Sequence, residues 1–246
     1  MSQTDLAADI RILWRLLRGQ PRQGSHAERL AAFYAAQAER YDAFRARLLH
    51  GRAELIEALA IPAGASMVEL GCGTGGNLDA IARVRPLDTL ASVQLVDLCP
   101  PLLAVARRRA RGLANVQVIE ADATLWRPAQ PVDRVLLSYS LTMMPDWQAV
   151  LANAWAMLAP GGRLGVVDFY LPGSARRFGN AFWRRWFAHD GVHLSDRHLP
   201  ALRTLCMDAW VQERRAALPY LPGLRAPYYL FVGTRPERAC TATRTA

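Results

Sequence analysis

The 246-residue sequence predicts an α/β fold in which helices flank a doubly wound, mostly parallel sheet. Two observations lead to this prediction. From Ser66 onward, short apolar segments alternate with helical patterns of about 10–15 residues, as they do in parallel sheets. The first apolar segment runs directly into the glycine-rich stretch MVELGCGTGGN at residues 67–77, which opens a helix. A chain of this length most simply forms one domain.

The glycine-rich turn predicts a ligand site at the first strand-to-helix connection. Gly71, Gly73 and Gly75 allow positive φ angles and a close backbone approach to a ligand, while the amides that open the next helix point towards it. With Glu69, the segment E-L-G-C-G-T-G resembles the strand-end pattern of S-adenosylmethionine (AdoMet) methyltransferases. Gly71, Gly73 and Gly76 also satisfy G-x-G-x-x-G, the dinucleotide fingerprint. The turn alone leaves both ligands open.

Two helical regions are predicted before the first strand, within an N-terminal extension over residues 1–60. The first, over residues 5–18, carries an apolar side and places Arg11, Arg15 and Arg18 on another side. A short basic amphipathic helix of this kind either lies on a membrane surface or packs its apolar stripe on the domain.

The second helical region covers residues 25–59, with a break expected at Gly51. Tyr34 and Tyr41 lie seven residues apart within it and therefore share one helix face. Such a pair forms either an aromatic core stripe or part of a lid, and the position of the helices before the first strand favours a lid over the cofactor.

The remaining elements follow from apolar runs for strands and from helical periodicity between them. Strands are predicted at 66–70, 92–97, 116–120, 132–138, 162–169 and 227–234, with a weaker one near 209–217, and helices at 76–85, 100–112, 147–158 and 174–187. The sheet-bearing domain is expected to cover 61–236, with an acceptor-side insertion at 171–225 and a flexible tail at 237–246.

Acidic residues at strand ends decide between the two ligands. Asp97, followed by Leu98, ends the second strand, where a carboxylate accepts the ribose hydroxyls of either cofactor. Asp122 and Ala123 follow the third strand, where AdoMet methyltransferases commonly bind the adenine amino group. The L-x-P-G-G-x-L segment at 158–164 is also typical of these enzymes. Together the features favour an AdoMet methyltransferase over a nicotinamide-dependent oxidoreductase.

Three segments carry a closer resemblance. The sequences near 11–22, FYAAQAERYDAFRARLLHGR at 33–52 and SYSLTMMPDW at 138–147 resemble the bacterial diacylglyceryl-homoserine N-methyltransferases of betaine lipid synthesis. The resemblance implies a class I fold with a Rossmann-like, seven-stranded sheet and an N-terminal helical lid. It also implies three successive methyl transfers from AdoMet to diacylglyceryl-homoserine, which produce diacylglyceryl-trimethylhomoserine. The expected location is cytoplasmic, with peripheral association with the inner membrane.

The composition agrees with such a partner. Lysine and arginine exceed aspartate and glutamate by 30 − 21 = +9, which favours an anionic membrane surface or nucleic acid. The resemblance favours the membrane, so no nucleic-acid partner is expected. No secretory signal and no apolar run of about 18 residues are recognised. The cysteines form no C-x-x-C pair, so neither a zinc site nor a disulfide framework is indicated.

The candidate site residues fall into a cofactor set and an acceptor set. Expected cofactor contacts are Tyr34, Glu69, Gly71, Gly73, Gly75, Asn77, Asp97, Leu98, Asp122, Ala123, Ser138 and Ser140. Expected catalytic residues are Tyr139, Tyr41 and His193, since aromatic faces attract a methylated ammonium by about 0.5–2 kcal/mol each and a histidine can relay a proton. The alternative for His193 is a surface-loop residue. The acceptor carboxylate requires an arginine, for which Arg45, Arg47 and Arg52 are available.

Other functions remain as alternatives. Within the methyltransferases these are a phosphatidylethanolamine N-methyltransferase and a quinone C-methyltransferase, which only a substrate assay separates. An RNA-base methyltransferase fits the positive charge, but no N/D-P-P-Y/F motif follows the fourth strand. A cofactor-binding membrane adaptor without turnover is a further alternative, and the retained acidic and glycine residues argue against it.

Overall fold

The computed structural model describes residues 48–171, 192–217 and 223–237, together with Glu28. Elements are numbered here within these residues. The helices are α1 (Arg52–Ala58), α2 (Asn77–Val84), α3 (Pro100–Arg109), α4 (Trp147–Met157) and α5 (His198–Leu205), with 3-10 turns at Leu87–Thr89 and Leu141–Met143. The strands are β1 (Ser66–Leu70), β2 (Ser92–Asp97), β3 (Val116–Glu120), β4 (Val132–Ser138), β5 (Leu158–Phe169), β6 (Trp210–Ala217) and β7 (Arg225–Thr234).

The seven strands form one sheet in the order β3-β2-β1-β4-β5-β7-β6. The first five strands pair in parallel, and β7 runs antiparallel between β5 and β6. The predicted fold class is therefore confirmed. Strand order reverses between β1 and β4, and in open α/β sheets ligands bind outside the carboxyl ends of the strands at such a switch point.

Helices cover both faces of the sheet because its strands are apolar on both sides. Leu55 of α1, Ile81 of α2 and Leu103 of α3 are fully buried in the core on one face. Leu151 of α4 and Leu202 of α5 belong to the core on the other. Among the described residues, no helix is long and apolar enough to cross a membrane.

The helix α1 begins after Gly51, whose φ of 80° places it in the left-handed region. The break expected at this glycine is therefore confirmed. Arg214 of β6 binds Glu54 of α1 through two hydrogen bonds of 2.5 and 2.6 Å. Arg134 donates to the carbonyl oxygens of Leu59 and Ala60 at the other end of the helix. These contacts fix α1 against the sheet.

Most predicted strands agree with the structure, and two predictions needed correction. The strand expected to begin at residue 162 begins at Leu158, because the P-G-G segment forms an irregularity within β5 opposite Val132–Arg134 instead of a turn before it. The helix α5 was not predicted at all. The predicted helix at 174–187 and the helices before residue 48 lie outside the described residues.

Candidate active site

The glycine turn between β1 and α2 is folded as the sequence predicted. Gly71, Gly73 and Gly75 have φ angles of 72°, 56° and 71°. The amides of Gly71 and Cys72 both donate to the carbonyl oxygen of Val96 in β2, at 2.8 and 3.1 Å. A Cβ atom built on Gly71 would lie 2.4 Å from the Cβ atom of Ser140, closer than atoms can pack. Glycine is therefore required at residue 71 by conformation and by space.

Glu69 connects the end of β1 to the start of α2. Its side chain is buried, with 1% exposure, and Oε1 accepts a hydrogen bond of 2.6 Å from Nδ2 of Asn77. Asn77 is the first residue of α2. Because the two residues lie on either side of the glycine turn, this bond links the two ends of the turn. It also fixes the Glu69 carboxylate at the base of the site.

Asp97 lies at the carboxyl end of β2, beside the glycine turn. Its Oδ2 accepts from the amide of Gly73 at 2.8 Å, and its Oδ1 accepts from the amide of Cys99 at 2.9 Å. These two bonds orient the carboxylate, and a carboxylate is a suitable acceptor for hydroxyl donors. This geometry fits the ribose-binding role predicted for Asp97, with Leu98 next to it on the same loop.

Cys72 and Cys99 lie next to this carboxylate without acting as reactive thiols. Burial raises the pKa of the Cys72 thiol well above its ordinary value and that of Cys99 to about 11, and the negative charge of Asp97 adds to both shifts. Because the thiolate is the nucleophilic form, both side chains stay protonated at neutral pH and serve as small packing residues.

Asp122 follows β3 on the neighbouring loop. Its side chain is exposed, and Oδ1 accepts from the amide and the hydroxyl of Thr124, each at 2.8 Å. The amide of Ala121 donates to the carbonyl oxygen of Asp97 at 3.1 Å, so the loops after β2 and β3 are joined. Ala123 is buried directly behind the acidic residue. The two predicted nucleoside contacts, Asp97 and Asp122, therefore lie on adjoining loops.

The segment Ser138–Ser140 turns sharply at the carboxyl end of β4. Tyr139 has a φ of 53°, a strained value for a residue other than glycine, and its amide donates to Val167 in β5 at 2.8 Å. The hydroxyl of Ser140 donates to the carbonyl oxygen of Leu70 at 3.0 Å. Backbone strain of this kind is common at functional sites, where the surrounding contacts hold it in place.

The side chain of Tyr139 packs inside the protein, next to the turn after β4. It was expected beside the acceptor, yet it is only 3% exposed and packs against Phe169 with ring centroids 4.7 Å apart. Its hydroxyl donates to the carbonyl oxygen of His50 at 2.7 Å, and burial raises the pKa of the phenol well above its ordinary value. The structure thus gives Tyr139 a positioning contact, while its contact with an acceptor stays a prediction.

A small pocket opens above the glycine turn. It is lined by Leu49, Arg52, Glu69, Gly71, Cys72, Thr74, Gly76, Asn77 and Ser138. Arg52 and Glu69 bring opposite charges to it. The buried hydroxyl of Ser138 has no hydrogen-bond partner among the described residues.

These features fit the amino-acid end of AdoMet, which carries an ammonium and a carboxylate. Glu69 can accept from the ammonium, and the planar guanidinium of Arg52 matches a carboxylate. The hydroxyl of Ser138 can satisfy its bonding capacity on either group. From the sequence, Arg52 was predicted only as a candidate for binding the acceptor carboxylate. Its position in this pocket depends on how α1 packs on the sheet, which the sequence does not show.

Asp168, at the end of β5, was not anticipated. It is completely buried, and its oxygens accept from the amide and hydroxyl of Thr142, at 3.0 and 2.8 Å, and from the amide of Phe169 at 2.8 Å. Burial raises its pKa to about 6, although these hydrogen bonds oppose the shift. Asp168 thereby fixes the 3-10 turn that follows the Ser138–Ser140 segment.

His193 lies near the same turn. Its amide donates to the carbonyl oxygen of Thr142 at 2.7 Å, while its side chain is exposed. Its proposed proton-relay role stays a prediction. Tyr34 and Tyr41, the two remaining aromatic candidates, lie outside the described residues.

Comparison with known proteins agrees with this geometry. Residues 67–162 match the family described as "Methyltransferase domain". A demethylmenaquinone methyltransferase of Tropheryma whipplei is 29% identical over 173 residues, which cover 68% of each chain. A trans-aconitate 2-methyltransferase of Klebsiella pneumoniae is 34% identical over 126 residues, which cover 51% of this chain and 47% of the relative.

The fold also occurs in a solved enzyme structure. Phosphoethanolamine N-methyltransferase 2 of Haemonchus contortus, solved with S-adenosylhomocysteine, superposes with a TM-score of 0.69. The match has 15% sequence identity and covers 88% of this chain and 61% of that one. The family match spans the glycine turn, both acidic loops and the segment after β4. On these grounds the chain is an AdoMet-dependent methyltransferase with the class I fold.

Proposed function

We propose that the enzyme methylates the amine of diacylglyceryl-homoserine three times, giving diacylglyceryl-trimethylhomoserine. The observation that carries this proposal is the place of the segment 138–147, which resembles the diacylglyceryl-homoserine N-methyltransferases. Ser138 lines the pocket, and Ser140 packs against Gly71. The resemblance therefore extends to the side of the pocket where the methyl donor and the acceptor are expected to meet.

The cofactor supplies an electrophilic methyl group on a sulfonium, and the enzyme must align an amine lone pair with it. In the proposed arrangement, Glu69 and Arg52 hold the amino-acid end, Asp97 holds the ribose and Asp122 the adenine. Methyl transfer needs no covalent enzyme intermediate, so such alignment can account for much of the rate. The proposal is supported by the hydrogen bonds from Asn77, Gly73 and Thr124, which orient the carboxylates of these three acidic residues.

The acceptor brings a carboxylate and an amine that must lose its proton. Arg45 and Arg47 lie outside the described residues, whereas Arg52 lines the pocket. If Arg52 binds the cofactor carboxylate, as the shared pocket with Glu69 favours, the homoserine carboxylate requires another arginine. The net charge of +9 supports a peripheral enzyme that reaches its lipid at an anionic bilayer.

A quinone C-methyltransferase is the second candidate. The demethylmenaquinone methyltransferase of T. whipplei aligns with 68% of this chain, beyond the glycine turn and the acidic loops. A quinol acceptor uses a ring carbon as the nucleophile and carries no carboxylate, so it has no need for a second arginine.

A substrate assay separates the two proposals. Purified enzyme is incubated with isotope-labelled AdoMet and detergent micelles that contain diacylglyceryl-homoserine, phosphatidylethanolamine or demethylmenaquinol. Mass spectrometry then counts the methyl groups added to each. The proposal expects one, two and three additions to diacylglyceryl-homoserine, with Asp97→Ala as a control that loses them. Methylation of the quinol alone would establish the second candidate and overturn the first.

A further inference from the structure

Asn153 is a buried amide in a helix face that is otherwise apolar. It lies in α4 with 3% exposure, among the buried side chains of Val150, Leu151 and Ala154. Asparagine is a poor helix former, and its buried amide costs free energy unless it is fully hydrogen-bonded. A leucine or alanine would suit this face better, so the position of the amide calls for a specific partner.

That partner is the loop after β3. Nδ2 of Asn153 donates to the carbonyl oxygens of Ala123 and Trp126, at 2.8 and 2.9 Å. Oδ1 accepts from Nε of Arg127 at 2.7 Å. Both amide hydrogens and the oxygen of Asn153 are thus used within five residues of one loop. The contact from Arg127 also fixes which end of the amide faces the two carbonyls.

The same loop carries Asp122, the residue predicted to accept the adenine amino group. The amides of Leu125 and Trp126 donate to the carbonyl oxygen of Asp122, so the backbone held by Asn153 is the backbone that places this carboxylate. Ala123 follows Asp122 and is buried. If the hydrogen bond from Asn153 were lost, water could not replace it at the carbonyl oxygen of Ala123.

We infer that Asn153 is a positioning residue for adenine recognition. It sets the preference of the site for a 6-amino purine by holding the Asp122–Ala123 backbone from the side of α4. This inference rests on the predicted adenine position at Asp122 and adds a residue that itself touches no ligand. According to this inference, Asn153 affects the selectivity for the adenine base more than the overall affinity for the ligand.

The test compares two ligands by calorimetry: S-adenosylhomocysteine and its analogue with hydrogen in place of the 6-amino group. A hydrogen bond to a charged group is worth about a tenfold or larger factor, so the wild-type enzyme should prefer the amino form by at least roughly that factor. Asn153→Asp keeps the acceptor for Arg127 but turns a carboxylate oxygen towards two carbonyls. It should weaken binding of the amino form about tenfold and the analogue much less, so that the preference is lost.

Two further variants make the result interpretable. Arg127→Met removes the exposed side chain that donates to Oδ1 of Asn153, so that the Asn153 amide is free to turn over. It should lower the preference about two- to fivefold, within the range of one neutral hydrogen bond. Gln148→Ala removes an exposed amide from the same helix and should leave the preference unchanged. Thermal unfolding of each variant reports the folded fraction.

The possible failures are distinguishable. A wild-type enzyme that binds both ligands equally would disprove the adenine contact at Asp122, and the inference with it. If the wild type is selective and Asn153→Asp and Arg127→Met both keep that selectivity, or lose affinity for both ligands equally, Asn153 has only a structural role and the inference is wrong.

Discussion

Gly71 has no side chain, and the space that one would need is filled by Ser140. Alanine at residue 71 would have to adopt a φ of 72°, which costs about 1–2 kcal/mol. Its Cβ atom would also displace Ser140 from the carbonyl of Leu70. We expect Gly71→Ala to abolish measurable AdoMet binding in calorimetry. The substitution would shift both the glycine turn and the segment around Ser140, which together form one side of the pocket.

Gly64→Ala is the matched control for this prediction. Gly64 has a φ of 74°, and no atom lies within 4 Å of a Cβ built there. The control should lose about 1–2 kcal/mol of unfolding free energy and keep AdoMet affinity. Comparable affinity in the two variants would show that crowding against Ser140 does not shape the site.

Asp168 makes stability depend on pH in an unusual direction. Its pKa rises from 3.8 to about 6 on folding, so its contribution to stability is present below pH 3.8 and is lost as the pH rises through 6. With 1.36 kcal/mol per pKa unit, the contribution falls by about 2 kcal/mol between pH 4 and pH 7.

Urea unfolding of the wild type and of Asp168→Asn measures this effect. The asparagine variant loses hydrogen bonds with Thr142 and should be less stable at every pH. The stability difference between wild type and variant should shrink by about 2 kcal/mol from pH 4 to pH 7. The exposed Asp208→Asn is the control. A difference that stays constant with pH would refute the raised pKa.

The parts of the site that sequence could predict are those encoded by local pattern. Glu69, Gly71 and Asp97 each stand at a fixed distance from a strand end, and the structure places them around one turn. Asp168 and Asn153 have no such pattern. Their partners, Thr142 and Ala123, lie 26 and 30 residues away along the chain, so only the packing of strands and helices brings them together.

At the scale of elements, the start of α1 depends on Tyr139, the residue that follows β4. The hydroxyl of Tyr139 holds the carbonyl of His50, immediately before Gly51. Tyr139→Phe removes this bond and should cost about 1 kcal/mol of stability, with turnover lowered modestly. Tyr139→Leu also removes the ring that packs on Phe169 and should lower turnover more than AdoMet affinity.

Steady-state kinetics and AdoMet titration of both variants check this. Arg203→Ala is the control. It removes an exposed ion pair with Glu213 that does not involve Tyr139, so it should change neither turnover nor AdoMet affinity. Equal losses of activity in the Phe and Leu variants would assign the effect to the hydroxyl and its hold on His50. They would also remove any role of the Tyr139 ring in stabilising a cationic acceptor.

Strands were easier to predict than helices in this chain. β1 to β4 are short segments rich in valine, leucine and isoleucine, and their observed bounds equal the predicted ones. The helix α5, HLPALRTL, was missed because Pro200 and the polar residues before it read as a loop. Proline is tolerated there because it lies in the first turn, where the amide has no helical partner.

At the scale of the molecule, the proposed membrane association depends on positive charge. We expect the enzyme to sediment with vesicles that contain anionic lipid and to be released as salt screens the attraction. Deleting residues 1–20, or replacing Arg11, Arg15 and Arg18 by glutamine, should reduce sedimentation and leave AdoMet affinity unchanged. Equal sedimentation with neutral and anionic vesicles would contradict the proposed electrostatic association.

The position of β7 in the sheet has a consequence for synthesis of the protein. β7 is the last described strand in the chain, yet it lies between β5 and β6 and pairs with both. While the ribosome is still making residues 225–234, β5 and β6 lack this partner, and unpaired strand edges invite association with other chains. We therefore expect a chain interrupted before Arg225 to aggregate, because the sheet cannot be completed from one end to the other.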